Sequence, residues 1–290
     1  MNITIGTRKS KLALVQTDAV IRRIQEAAPE VMVSRVCYTT RGDQILSRPL
    51  SEIGGKGVFV GEIEAALCSG AIDLAVHSAK DLPLNLREGT EIAAVLPRGN
   101  PQDMLVIRRE AAAEMQENRH AVYRIGTGSG RRISGVRRLY PNAEFAGIRG
   151  NIDTRLEKLH RGEYDAIVLA AAGLARLSLT EHEQHICLPL PVQDVVPAPC
   201  QGIIAVQSRS GALPELMRQI CDENTRFCYE TERAVLRLTD AGCSAPIGAY
   251  SEIAGGRITL YVTWGHQRIL CGSAPVSGRI RLAEGLVKQL

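Results

Sequence analysis

One unit recurs through the middle of the chain and limits what it can fold into: an apolar strand, a turn rich in glycine and arginine, then a helix. Tyr123-Arg124-Ile125-Gly126 runs into Thr127-Gly128-Ser129-Gly130-Arg131-Arg132, with a helix beginning near Ser129. Glu144 to Ile148 runs into Arg149-Gly150-Asn151, and a helix carrying Arg155 follows over Ile152 to His160, closed by Gly162. Tyr164 to Ala170 is a buried run ending at Ala171-Ala172-Gly173, with Arg176 just beyond. Strands alternating with helices imply an open α/β sheet, because a helical crossover returns the chain to start a parallel strand. Ligands of such sheets lie at the carboxyl ends of the strands, where Arg131, Arg132, Arg149 and Arg176 fall. Two adjacent arginines in a first helical turn oppose its dipole, so an acidic ligand between them is a reasonable compensation. The turn lacks the Lys-Ser/Thr end of a P-loop, and the chain has no dinucleotide fingerprint. A phosphate or carboxylate cradle is expected.

The N-terminal part carries the same design. Asn2 to Gly6 reads as a strand, Thr7-Arg8-Lys9-Ser10 as a polar loop, and Leu12, Val15, Ala19 and Ile24 as one face of a helix that stops before Pro29. Ser10 is placed to cap that helix, so Arg8 and Ser10 stand where backbone amides favour an anion. Val31 to Tyr38 is a second strand. Residues 41–57 form a long connection with glycines around Lys56, the pattern of a mobile lid or binding loop; a helix over Val60 to Ser69, closed by Gly70, follows. Ile72 to Val76 reads as a buried strand, with His77-Ser78-Ala79-Lys80-Asp81-Leu82-Pro83 at its carboxyl end. Lys80 and Asp81 there offer a cation and a proton-accepting carboxylate, suited to an iminium or ammonium species. A polar turn with a surface ion pair fits the same residues.

Arg98-Gly99-Asn100-Pro101 marks a boundary, after which Met104 to Ile107 reads as a strand and Ala111 to Asn118 as a helix. Leu188 to Val192, with two prolines, cannot be a regular helix. Val195 to Gln207, containing a strand over Ile203 to Val206, reads as chain returning to the first domain, which implies paired crossovers and a hinge. A helical stretch from about Leu216, with Glu232 and Arg233, leads to Asp240-Ala241-Gly242-Cys243-Ser244-Ala245-Pro246-Ile247-Gly248; Tyr250 to Leu270 then reads as antiparallel strands turning at Gly255-Gly256, giving a third, α+β domain. In the loop, small neighbours and fixed backbone set out one thiol, Cys243, able to carry a covalent group; a buried apolar filler is the other reading. His182 and His185, in Glu181-His182-Glu183-Gln184-His185, have a metal-helix flavour but no evident third ligand. They are expected on a solvated charged face, and no metal site is expected.

With 290 residues, 45% of them hydrophobic, the chain exceeds one core and should divide into two or three domains. No apolar run approaches the roughly 20 residues of a membrane span, and the N-terminus lacks signal-peptide regions, so a cytoplasmic protein with no membrane partner is expected. Eight cysteines, at 37, 68, 187, 200, 221, 228, 243 and 271, include no Cys-x-x-Cys pair, which argues against zinc and a disulfide framework. Only six of the 35 basic residues are lysine. Arginine grips carboxylates and phosphates through paired hydrogen bonds, so a polyanionic ligand is indicated, although genomic bias toward arginine gives the same count. Nucleic acid is disfavoured: three Phe and one Trp offer few stacking surfaces. A two-lobed, non-enzymatic anion-binding protein explains the arginines but leaves the third domain and Cys243 idle.

Taken together, Gly6-Thr7-Arg8-Lys9-Ser10, Gly54-Gly55-Lys56-Gly57, His77-Ser78-Ala79-Lys80-Asp81, Arg131-Arg132, Ile148-Arg149-Gly150-Asn151, Glu163 to Leu169 and Gly242-Cys243-Ser244-Ala245-Pro246 closely resemble the porphobilinogen deaminase family, also called hydroxymethylbilane synthases, from residue 6 to about residue 252. The resemblance implies a transferase that condenses four porphobilinogen molecules head to tail, releasing ammonia each time, in tetrapyrrole (haem) biosynthesis. It implies a dipyrromethane cofactor joined by a thioether to Cys243. The implied fold is α/β with three domains: two resembling lobes of type II periplasmic binding proteins, over 1–97 plus 198–215 and over 101–194, and a small α+β domain over 218–290. A monomer is implied. Asp81, assisted by Lys80, would be catalytic; Arg8, Ser10, Gln16, Lys56, Ser78, Thr127, Ser129, Arg131, Arg132, Arg149, Arg155, Leu169, Ala170, Arg176, Gln201 and Gly202 would bind cofactor and substrate. Two departures stand out. Gly128 and Gly130 replace Ser and Leu of the family's Thr-Ser-Ser-Leu-Arg-Arg, and Cys200 stands where Gly is usual before Gln201-Gly202.

Overall fold

The computed structural model describes residues 1–40, 60–241 and 245–290. The 41–57 connection with Lys56, and the expected attachment residue Cys243, lie outside the described residues. Two compact units are present, one of residues 1–99 and 202–230, the other of residues 100–201 and 231–290.

The first unit contains β1 (Asn2–Arg8), α1 (Lys11–Ala27), β2 (Met32–Tyr38), α2 (Gly61–Cys68), β3 (Leu74–Ser78) and β4 (Thr90–Val95). The second continues with β5 (Asp103–Arg108), α3 (Ala112–Glu117), β6 (Arg124–Gly126), α4 (Gly130–Leu139), β7 (Glu144–Ala146), α5 (Ile152–His160), β8 (Ala166–Ala170), α6 (Ala171–Arg176) and β9 (His185–Pro189). The chain then returns to the first unit as β10 (Ile204–Arg209) and α7 (Pro214–Ile220). Helix α8 (Glu223–Leu238) leads to β11 (Ile247–Ala254), β12 (Arg257–Trp264), β13 (Leu270–Pro275) and α9 (Arg279–Val287).

The two five-stranded sheets, β2-β1-β3-β10-β4 and β7-β6-β8-β5-β9, share one plan. In each, four strands run in one direction and the strand in fourth place runs antiparallel to both its neighbours: β10 between β3 and β4, β5 between β8 and β9. The expected return of the chain is therefore present as a strand inside the first sheet. Helices cover both faces, so strands are apolar on both sides rather than alternating. In β5, Leu105 and Ile107 join the cluster of Val136 and Tyr140, while Val106 joins that of Leu156 and Leu159. In the first sheet Ile5, Leu74 and Val76 pack with Val20 and Ile24 of α1, and Ala75 with Ile63 and Leu67 of α2. Gly6 permits this: a Cβ there would lie 2.4 Å from Ile72 Cδ1.

The third sheet, β11-β12-β13, is antiparallel. Its first turn is at Gly255 and Gly256, with φ of 55° and 72°, which two-residue hairpins favour. Val235 of α8 and Ala283 and Leu286 of α9 bury its apolar face with Ile247, Leu260 and Val262. The α/β class with a small α+β part is thus as the sequence implied. Strand β3 runs two residues further than its apolar run, so His77 and Ser78 belong to the strand and not to the loop after it. Strand β9 hides in the proline-rich stretch because it pairs only with β5, and an edge strand tolerates Pro189 at its end. No helix among the described residues is long and apolar enough to cross a membrane.

Candidate active site

In the first unit the candidate residues gather where β1 and β3 end. Ser10 caps α1, its Oγ accepting the Ala13 amide at 3.3 Å, as its position predicted. Gln16, buried in the second turn, exchanges hydrogen bonds with Ser78 at the end of β3 (2.8 Å and 3.1 Å). Lys80 and Asp81 lie in a single 3-10 turn after β3, with Asp81 exposed and Lys80 half-buried. Ala79 holds that turn down by donating to Ile203 O at 3.0 Å. Before the turn, in β3, His77 Nε2 meets Gln207 Oε1 at 3.0 Å, and Gln207 Nε2 donates to Glu64 Oε1 (2.9 Å) and Thr90 Oγ1 (2.8 Å). Burial lowers the His77 pKa to about 4, the Gln207 bond partly opposing and the Arg8 charge adding to the effect. His77 is therefore a neutral hydrogen-bond donor that fixes the Gln207 side chain between β3 and β10.

In the second unit Thr127 Oγ1 accepts the Ser129 amide (3.2 Å), and Ser129 is the N-cap of α4 without its side chain capping the helix. Arg131 and Arg132, in the first turn, are buried and share one acid. Arg131 Nη1 donates to Asp103 Oδ2 (2.7 Å) and Val196 O (2.7 Å). Arg132 reaches Asp103 Oδ1 through Nε (3.1 Å) and Nη2 (2.7 Å), and Val168 O through Nη1 (2.9 Å). Gln201 Nε2 adds a bond to Asp103 Oδ1 at 3.0 Å. Burial alone would raise the Asp103 pKa, but the two guanidinium charges and their hydrogen bonds outweigh it and hold the carboxyl well below its usual range. The acidic compensation expected at this helix start is thus supplied from within the chain. One carboxylate against two guanidiniums still leaves a buried excess of positive charge.

The second arginine turn is built on β7. Asn151 caps α5 by accepting the Thr154 amide at 2.9 Å, Gly150 takes a φ of 111°, and Arg155 Nε donates back to Gly150 O at 2.8 Å. Arg149 is half-buried beside it. Leu169 and Ala170 end β8, and Arg176 ends α6, where burial lowers its pKa.

The leg of chain just after Cys243 packs on this region. A Cβ at Gly130 would lie 3.3 Å from Pro246 Cβ, and one at Gly248 would lie 2.9 Å from both Cβ and O of Val196, the carbonyl that accepts Arg131. Ala249 donates to Pro197 O at 3.0 Å. The chain is therefore anchored at Pro246, three residues after the expected attachment residue Cys243, against the first turn of α4. A dipyrromethane carried near this anchor would have helix-start amides, the Ser129 hydroxyl and the positive Asp103–Arg131–Arg132 cluster to receive its carboxylates, so the residues present fit the expected cofactor.

Residues 3–214 match the family model described as porphobilinogen deaminase, dipyromethane cofactor binding domain, and residues 226–268 match the C-terminal domain of the same enzyme. The chain belongs to the porphobilinogen deaminase family. A porphobilinogen deaminase of Roseiflexus castenholzii is 44% identical over 262 residues, 90% of this chain and 84% of that one. One of Ruminiclostridium cellulolyticum is 38% identical over 293 residues, covering 99% of this chain and 97% of the relative. The family makes hydroxymethylbilane in tetrapyrrole biosynthesis, and its members are transferases with a dipyrromethane cofactor.

Against the expectations for a porphobilinogen deaminase, the structure brings Ser10, Gln16, Ser78, Lys80 and Asp81 together in one unit, and Ser129, Arg131, Arg132 and Pro246, three residues after Cys243, in the other. Asp103 was missed by sequence reading; its one signal is an acid opening an otherwise apolar strand. His182 and His185 need correcting. They lie on no helix: His185 is buried at the start of β9, His182 precedes it in a turn, and a third imidazole, His160, stands beside them. The third partner escaped notice because it comes from α5, far back in the sequence.

Proposed function

We propose that this chain performs the deaminase reaction with Asp81 as the charge-stabilising and proton-moving group, Lys80 beside it, and with the arginines dividing the carboxylates of cofactor and substrate. Each porphobilinogen brings an acetate and a propionate, so every added ring needs fixed cations. Arg131 and Arg132, aimed by Asp103, take cofactor carboxylates at the start of α4; Arg149, Arg155 and Arg176 extend that set, and Arg8, Ser10 and Lys56 serve substrate. Thr127 shapes the turn for Ser129, the Gln16–Ser78 pair supports the floor, Leu169 and Ala170 give it apolar and backbone surface, and Gln201-Gly202 fixes the returning chain. The dipyrromethane on Cys243 supplies the terminal pyrrole carbon to which the first substrate joins. As ammonia leaves porphobilinogen, positive charge spreads into its pyrrole, and a carboxylate near the ring nitrogen stabilises that charge as it develops. The proposal extends to a cytoplasmic monomer needing neither nucleic acid nor membrane, with domains over 1–97 plus 198–215, 101–194 and 218–290.

The observation that carries this reading is the anchoring of the chain at Pro246 on the positively charged start of α4. Asp81 gives its test. Asp81→Asn keeps size and much hydrogen bonding, so it should fold and retain a modified Cys243 while single-turnover adduct formation at saturating porphobilinogen falls about 10²-fold or more. Near-normal adduct formation in a fully modified Asn variant would reduce Asp81 to a turn residue.

A further inference from the structure

We propose that His160, His182 and His185 form a transition-metal site at the β9 edge of the second sheet, outside the deaminase machinery, with zinc as the ion its chemistry favours. His160 ends α5, His185 begins β9, and His182 lies on the connection before β9, so one ion would tie together three segments. Ligand nitrogens of the three rings all lie within 4.8 Å of one another. Ring centroids are 4.9 Å, 5.0 Å and 5.2 Å apart, a near-equilateral triangle. An imidazole centroid sits about 3.1 Å from a zinc ion bound at about 2.0 Å, so three imidazoles at tetrahedral angles place their centroids about 5 Å apart. The ring positions therefore already suit one ion.

Orientation is partly prepared. His185, 1% exposed, directs Nε2 at Leu179 O (3.2 Å), a bond that puts its proton on Nε2 and leaves the Nδ1 lone pair facing His160 Nε2 at 3.0 Å. An outward N–H held by a backbone carbonyl is the usual second partner of a metal-binding histidine. The turn carrying His182 is braced by Arg109, whose guanidinium donates to His182 O (2.7 Å), His185 O (3.5 Å) and Glu183 O. Two changes accompany binding. The rings, now within 17° of parallel, rotate so that their lone pairs converge, and the ion replaces the His160–His185 contact and the bond from the Gln184 amide to His182 Nδ1 (3.1 Å). His160 and His182 are both half-buried. Three nitrogen ligands with no carboxylate or thiolate in the set exclude magnesium and calcium and suit zinc, cobalt or nickel, water filling the fourth position.

The test uses the cofactor-bearing enzyme, freed of metal by chelation and titrated with Zn2+ by calorimetry and with Co2+ by visible absorption. The parent should bind one ion with micromolar or tighter affinity, show tetrahedral cobalt bands without thiolate charge transfer, and gain thermal stability. His160→Gln and His182→Gln should each weaken binding by about tenfold or more while leaving deaminase turnover unchanged. Absence of saturable binding overturns the proposal. So does binding unaltered by both substitutions, or a thiolate band, either of which places the ion on cysteine. A fall in metal-free stability in the variants with no change in affinity would make the trio a hydrogen-bonded cluster only.

Discussion

Asp103 carries two guanidiniums on one buried carboxylate, and its removal leaves both without compensation. Asp103→Asn should therefore cost about 3–5 kcal/mol and reduce cofactor retention. Its folded pKa lies below the unfolded value, so the stabilisation is complete above the ordinary carboxylate range and is lost as pH falls through the folded value. Denaturant unfolding should show a constant gap between parent and variant from pH 5 to 8, roughly, narrowing only in strong acid; a gap that varies across neutral pH would assign the effect elsewhere. His77 behaves in the other acid window. Neutral in both states above pH 6.5, it can be protonated only in the unfolded chain between that value and about 4, so stability falls with acidification across this interval, by about 3 kcal/mol at most. His77→Gln should flatten the pH dependence of Tm there. Neither residue's role was legible in the sequence: His77 looked like loop because the apolar run stops at Val76, and Asp103 acquires its meaning only when β5 is brought beside α4.

At the scale of elements, several boundaries were legible from local signals. Helix α5 was expected over its observed span, and Ser10, Gly70, Gly162 and Gly255-Gly256 act as the caps and turn their chemistry predicts. Strands β4, β9 and β13 were not separated from their surroundings, since short edge strands owe their state to a neighbour and not to pattern. Cys200 shows how a departure from the family pattern is accommodated. It takes a φ of 62°, the region glycine enters freely, while its amide donates to Glu232 Oε2 at 2.6 Å and its side chain is buried. Glu232 also accepts the Ser251 amide (2.7 Å) and hydroxyl (2.9 Å), pinning this turn to β11. Cys200→Gly should hold Tm close to the parent, strain relief offsetting lost burial; Cys200→Val, β-branched at positive φ, should lose about 2 kcal/mol or more. Equal melting of the two variants would show that the backbone there is not strained.

For the whole molecule, if the cofactor takes its proposed place beside Arg131 and Arg132, the buried positive excess there would make it a stabilising part as well as a primer. Cys243→Ser should show an intact mass equal to the bare polypeptide and a Tm lower by several degrees, partly restored by sulfate, to which the parent should respond less. Equal melting of the two proteins would remove the cofactor from the stability argument. The two-sheet plan was legible as a return of the chain after Val195, because the buried strand near Ile203 has no partner nearby in sequence. The same return decides how the protein is made. Strands β3 and β4 are translated early, yet the strand that joins them, β10, leaves the ribosome only after the whole segment from Val95 to Ile204. The nascent first lobe therefore waits with two open sheet edges while the second lobe is synthesised and free to fold, an interval in which a chaperone or a slowed stretch of translation would protect it from pairing with other chains.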